Sequence, residues 1–325
     1  MTARLLYVLS PAKTLDMTRT AVRCCTDPAL LSDAQALVEQ LRELSQMQLK
    51  SLLGVSDALA KLNRQRFQSF DVKVERHEPT PSDHKKQAVL AFNGPAYQDK
   101  ELGYAQDHLR ILCGLYGILR PLDLIQAYRL EMGQKFANTR GKDLYAFWGS
   151  TLAEAINRHF EDAGNDAKVL VNLASQEYFK SIQVDALDPG IQVVECVFQD
   201  DGKVKSVYAK RARGLMCRFL IQNRVESVAG IKAFNFEGYV FAAKASSETT
   251  LVFNRTAAKQ KEVLKEIQAK AKLAKAAAAT AADPASTMPA IGENVKAEVE
   301  SVEADAGSAA KQPTQASGRK KRRTA

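Results

Sequence analysis

The sequence is poor in the residues that build covalent or metal frameworks. Five cysteines and four histidines are spread over 325 residues. Cys24 and Cys25 are adjacent, an awkward spacing for an ordinary disulfide, and Cys113, Cys196 and Cys217 add no C-x-x-C pair. This argues against a disulfide-stapled secreted scaffold and for a reducing cytoplasm. His77, His84, His108 and His159 never fall into H-x-x-x-H spacing, so no metal site is expected. No apolar run reaches the ~20 residues of a membrane span, and Leu5–Leu9 is too short for the core of a signal peptide. A cytoplasmic chain without a membrane partner is expected. G-x-G-x-x-G and G-x-S-x-G are both missing, which removes support for dinucleotide and esterase readings, and no cofactor is expected. Trp148 is the only tryptophan, and core packing is a better role for it than base stacking.

Positive charge and apolar residues are present in quantity. Hydrophobic residues make up 46% of the chain, enough for a sizeable core. The formal charge of +9 and a pI of about 9.2 favour polyanionic partners. Residues 256–325 hold 13 Lys/Arg against 8 Asp/Glu, so +5 of the charge sits there. They are Ala/Lys-rich and of helix-forming composition as far as Ala282, then rich in Ala, Ser, Pro and Glu as expected of disorder, and end in the basic run Arg319–Arg323. The chain therefore divides into a folded part, 1–255, and a largely disordered basic tail, 256–325.

Along the folded part, Leu5–Leu9 reads as a buried strand closed by Ser10-Pro11, with Lys13 just beyond its carboxyl end. Helices are expected over Ser32–Leu44, with Ser32 as cap, and over Ser56–Phe67, which ends in Asn63, Arg64 and Arg66. Ala88–Phe92 reads as a short strand before the turn Asn93-Gly94-Pro95, and Leu144–Phe160 as one helix. Val169–Val171 and Ile191–Phe198 read as strands. Asn172, Ser175, Glu177 and Tyr178 follow the first of these, where an active site or a helix cap could lie. Gly202–Val225 carries seven basic residues and no acid: Lys203, Lys205, Lys210, Arg211, Arg213, Arg218 and Arg224. Its first half suits a strand, and its second an amphipathic helix with Arg211 and Arg218 on one face.

The segment that organises the rest is His108–Gly133. Leu109, Ile111, Leu112 and Leu115 suggest a helical run, punctured by Gly114 and Gly117 and stopped at Arg120-Pro121, with Asp123 as the next cap. Two readings stand. Glycine amides with Arg110, Arg120 and Arg129 suit a phosphate. Alternatively this is a buried hairpin whose glycines allow close packing and whose arginines pair with Asp107, Asp123 and Glu131.

GLYGILRPLDLIQAYRLEMG, together with SPAKTLD at Ser10–Asp16, resembles the YaaA peroxide-stress-response family. The likeness continues in order through LNRQRF at Leu62–Phe67, AFNG at Ala91–Gly94 and LYAFWG at Leu144–Gly149. It then runs through NLASQEYFK at Asn172–Lys180, AKRARGLMCRF at Ala209–Phe219 and FEGYVF at Phe236–Phe241, and ends near Arg255. Cys113 stands where the family usually has Ser, and Ala127 where it has Pro. The resemblance implies a compact mixed α/β single domain with a positively charged cleft and a helix-hairpin-helix-like element. It also implies sequence-independent binding of double-stranded DNA and a role in limiting iron-driven oxidative damage to DNA, without catalysis. On that reading Lys13, Arg66, Arg110, Gly114, Gly117, Arg120, Arg129, Lys210, Arg211, Arg213 and Arg218 bind phosphates. The alternative is an enzyme acting on a phosphorylated or nucleotide-like small molecule, with Lys13, Asn172, Ser175, Glu177 and Tyr178 converging on the arginines.

Overall fold

Leu5–Val8 are four consecutive buried residues of a strand covered on both faces, and they form the centre of β1 (Ala3–Leu9). The computed structural model describes residues 3–18, 24–71, 85–92, 99–164 and 166–280. After β1 come three helices, α1 (Leu31–Arg42), α2 (Gln46–Leu53) and α3 (Asp57–Gln68). Leu30, not Ser32, holds the cap position of α1 and makes no side-chain cap bond, and the helix buries Ala34, Leu37, Val38 and Leu41. Next are β2 (Lys85–Gln87), α4 (Ala88–Ala91), α5 (Asp99–His108) and β3 (Leu109–Cys113). The strand expected over Ala88–Phe92 is a helical turn, consistent with its two alanines, and Asn93-Gly94-Pro95 lies outside the described residues.

The expected helix over Leu109–Leu115 is overturned. Leu109–Cys113 is β3, and the chain turns at Gly114–Tyr116 into β4 (Gly117–Leu119), forming a β-hairpin. A run of four apolar residues interrupted only by Arg110 reads alike in a buried strand and a buried helix, and pairing with β1 decides for the strand. The chain continues through β5 (Leu124–Gln126), α6 (Leu144–Trp148), α7 (Thr151–Phe160), β6 (Ala167–Leu173) and α8 (Gln176–Phe179). The single helix expected over Leu144–Phe160 is broken between α6 and α7 at Gly149, whose φ of +47° ends the first. The last elements are β7 (Ile191–Asp200), α9 (Ser206–Gln222), α10 (Val228–Ile231), β8 (Val240–Phe241), β9 (Thr250–Arg255) and α11 (Ala257–Thr280). Residues 206–209 begin α9 rather than completing a strand, because Ala209, Ala212 and Met216 share its buried side.

Seven strands form one sheet in the order β4-β3-β1-β6-β7-β9-β8. The inner five are parallel, and β4 and β8 close the edges antiparallel. The Tyr7 hydroxyl meets Tyr104 on α5 and the Val225 carbonyl just beyond α9. Arg110, register partner of Val8, meets His159 on α7. Neighbouring residues of a strand face opposite ways, so α5 and α9 cover one face and α7 the other. The expected mixed α/β fold is the observed one. The chain divides into two units, Met1–Ala257 and Ala258–Ala325. In the second, the described residues are helical to Thr280, and the expected disorder after Asp283 falls outside them. Among the described residues no helix is long and apolar enough to cross a membrane.

Candidate functional site

Strand β1 has β3 on one side and β6 on the other, and the chain leaves β1 toward β3 but β6 toward β7. The topological switch point therefore falls between β1 and β6, and in open α/β sheets the crevice outside the carboxyl ends of the strands at such a point is the usual ligand position. Three segments meet there. The first is Ser10–Lys13 after β1. Ser10 Oγ accepts from the Ser175 amide at 2.8 Å and lies 3.3 Å from Ser175 Oγ, so it stitches the two loops together. The second is Arg129–Gly133. Glu131 takes Lys13 Nζ at 3.3 Å on one oxygen and Arg129 Nη2 at 3.1 Å on the other. The third is Ser175–Glu177. Glu177 Oε1 accepts from the Gly133 amide at 2.9 Å, and its backbone carbonyl accepts from the Tyr145 hydroxyl at 3.0 Å. A Cβ on Gly133 would stand 2.9 Å from Glu177 Oε1, so only glycine lets this carboxylate seat itself. Tyr178 is buried behind the site, and burial, with Glu177 and Glu131 nearby, pushes its phenol well above the ordinary range. Asn172 is buried and turned inward, its Oδ1 accepting from the Ala174 amide, which shapes the loop. Ser175 precedes α8 but makes no side-chain cap bond.

The other predicted phosphate ligands lie in different settings. Arg110 is largely buried and donates to the carbonyls of Gln106 and Leu109 and to His159 Nδ1. Burial and the nearby Arg120 pull its pKa down to about 10. Burial and Arg110 hold the His159 imidazole at about 3, so it stays neutral as an acceptor. Arg120 is tied to Asp123, and Arg129 to Glu131. Gly114 and Gly117 offer no surface to a phosphate. A Cβ on Gly114 would collide with the Leu130 carbonyl oxygen. One on Gly117, which sits at φ +68°, would come within 2.8 Å of Leu152 and Trp148. Trp148 Nε1 donates to the Gly114 carbonyl from a fully buried position. Close packing of a hairpin, with Arg120 and Arg129 paired to carboxylates, is the arrangement found here.

On α9, Arg211 forms a forked contact with Glu237, with Nη2 at 2.6 Å and Nε at 2.9 Å from Oε1. Glu237, held at φ +52°, also lies 3.8 Å from Arg255 Nη1, and Arg255 makes a buried pair with Asp200 at 2.7 Å. Tyr239 donates to the second Asp200 oxygen. These contacts lock the carboxyl ends of β7 and β9. Arg213 is half-buried beside Glu195, while Lys210 and Arg218 are exposed.

Sequence reading missed a second element. Helices α2 and α3 are joined by the turn Gly54-Val55-Ser56 into a helical hairpin. Gly54 takes the left-handed conformation at φ +60° and its amide bonds back to Lys50. Ser45 forms a capping box on α2, and Ser56 caps α3 by accepting from the Leu59 amide. The serine-helix-glycine-serine-helix spacing is the signal that could have found it. Gly54, Ser56, Lys61 and Arg64 are exposed, and Lys50 pairs with Asp57 at 2.8 Å. Arg66 is half-buried on α3, 3.5 Å from Asn63 Oδ1, and Asn63 is fully buried against the Leu59 carbonyl.

Sheet order and switch-point crevice place the chain among the open, mainly parallel α/β proteins. More narrowly, the family model described as "Peroxide stress protein YaaA" matches residues 5–245, and the chain belongs to that family. A UPF0246 protein of Burkholderia orbicola (strain MC0-3) is 48% identical over 264 residues, covering 77% of this chain and 98% of that protein. UPF0246 proteins of Burkholderia mallei (strain SAVP1) and Burkholderia pseudomallei (strain K96243) are each 48% identical over 266 residues, covering 78% of this chain and 99% of theirs.

Proposed function

We propose that this protein binds double-stranded DNA without reading its sequence and so limits iron-driven oxidative damage to DNA during peroxide stress. In this reading α2, the turn at Gly54-Val55-Ser56 and α3 are the helix-hairpin-helix element. The observation that carries it is the exposed glycine turn between two serine-capped helices, with Lys61 and Arg64 exposed on α3 and in no ion pair among the described residues. A left-handed glycine lets a phosphate approach the backbone closely, and the first amides of α3, those before the Leu59 amide that Ser56 takes, point outward toward it. The two cations add charge without base readout, so contacts of this kind position a duplex but do not select one. Arg218 on α9 offers a further exposed cation.

A salt titration of duplex binding tests the assignment. The Lys61→Ala/Arg64→Ala double variant is expected to weaken binding and to flatten the dependence of log affinity on log salt, by roughly 0.9 for each phosphate no longer neutralised. Both residues are exposed, so the variant should melt like the parent. An unchanged affinity and slope in the folded variant would remove α2–α3 as the DNA element.

A further inference from the structure

The crevice between β1 and β6 is built for more than holding the fold. We propose that it binds a phosphate monoester on a hydroxylated sugar, of the nucleoside monophosphate class, with the phosphate at Lys13 and Ser175 and a sugar hydroxyl at Glu177. Ser10 is already committed, accepting from the Ser175 amide and donating to the Ser175 hydroxyl. That leaves the Ser175 proton to donate outward, to an acceptor. Lys13 is held loosely. Its side chain is 62% exposed, and its ammonium lies 3.3 Å from one Glu131 oxygen, longer than the ~2.7–2.9 Å of a strong charge-assisted bond. Turning Lys13 toward a phosphate would not strand Glu131, because Arg129 stays on the other carboxylate oxygen. Glu131 is thus a hinge for Lys13, and Arg129 keeps that hinge neutralised.

The second half of the site is the Glu177 carboxylate. Oε1 is fixed by the Gly133 amide, and Oε2 has no partner among the described residues. A carboxylate seated by one backbone bond, with its other oxygen open, is an acceptor for a hydroxyl donor rather than a second phosphate site. Lys13 and Glu177 are linked through Glu131 and Gly133, two residues apart on one segment, so cation and acceptor are held in one crevice. A phosphate without a sugar would use only half of it. The phosphate could come from a free nucleotide, whose sugar also brings hydroxyls to Glu177, or from the 5′ end of a DNA strand, whose terminal sugar has no free hydroxyl, and the two arms of the test separate these.

AMP titrated into the full-length protein, followed by calorimetry, is the probe, with inorganic phosphate and 5′-phosphorylated and 5′-hydroxyl oligonucleotides beside it. Lys13→Ala is expected to weaken AMP at least tenfold. Glu177→Gln should weaken AMP severalfold and leave inorganic phosphate unchanged. Lys61→Ala/Arg64→Ala, on the helical hairpin, should leave AMP binding as it is, so loss of the DNA element and loss of this site are separable. If the 5′-phosphorylated strand outcompetes AMP while the 5′-hydroxyl strand does not, the site takes a DNA end, whose terminal sugar has no free hydroxyl, and the sugar-hydroxyl role of Glu177 is overturned. AMP binding no tighter than inorganic phosphate, or AMP affinity equal in the parent and in folded Lys13→Ala, overturns the proposal. Lys13 is exposed, so its variant tests binding rather than folding, and Ser175→Ala gives a second, independent reading of the phosphate half.

Discussion

At the scale of single residues, burial rather than charge decides what the central segment does. Gly114 is where a side chain has no room, and the atom it would strike is a backbone carbonyl that cannot swing aside. Gly114→Ala is expected to cost about 1–3 kcal/mol, the range for overpacking a filled site, read as a lower urea midpoint at unchanged slope. Gly103, inside α5 with nothing within 4 Å of where a Cβ would stand, is the contrast. Gly103→Ala should add about 0.5–1 kcal/mol of stability, read as a higher midpoint. Equal effects at the two positions would refute the packing account. His159 gives the pH counterpart. Folded, it resists protonation down to about 3, against an ordinary 6.5, because it is buried and faces Arg110, with Arg4 and His108 near. The unfolded chain binds a proton there first, so acid favours unfolding. The contribution is whole above about 6.5 and is lost as the pH falls toward 3. The parent melting temperature should fall more steeply over that window than that of His159→Asn, whose side-chain oxygen can still accept from Arg110. Parallel curves would show that another group sets the acid limit.

At the scale of elements, what could be read from the chain follows from which periodicities are unambiguous. β1 and β6 were legible because strands covered on both faces leave apolar runs bounded by turn residues, and β7 because its buried positions alternate with more exposed ones such as Gln192 and Glu195. α1 and α3 were legible by their helical spacing of leucines and alanines. Leu109–Cys113 was not, since four apolar residues around Arg110 are too few to show a period and only the partner strand settles them. Residues 203–209 alternate like a strand, yet the burial of Ala209 and Ala212 extends α9 back over half of them. The helical hairpin α2–α3 had its signal in Ser45, Gly54 and Ser56, but the glycines at 114 and 117 drew the reading elsewhere. Of the crevice, Lys13, Ser175 and Glu177 were visible as polar residues after strands. Their meeting through Glu131 and Gly133 was not, because it depends on a loop more than forty positions from Ser175 in sequence folding across the sheet.

At the scale of the whole molecule, two sources of positive charge act on any polyanion, and they can be separated. Arg319–Arg323 places five cations in the last seven residues. Residues 281–325 lie outside the described residues and beyond the span matched to the family. With them removed, the shortened protein should melt with the parent, lose DNA affinity moderately at low salt, and keep the part of the binding that depends on Lys61 and Arg64. If the shortened protein no longer binds DNA at all, the tail is the whole of the binding. A different consequence follows from Trp148. It is the sole indole in the chain, fully buried, hydrogen-bonded to Gly114 and packed where Gly117 leaves space. Selective excitation of tryptophan therefore interrogates one point of the protein, the junction of the β3–β4 hairpin with α6. Its emission should be blue-shifted and poorly quenched by iodide while that junction holds, and a ligand at the α2–α3 turn should leave that emission unchanged, so the molecule carries its own optical gauge of core integrity.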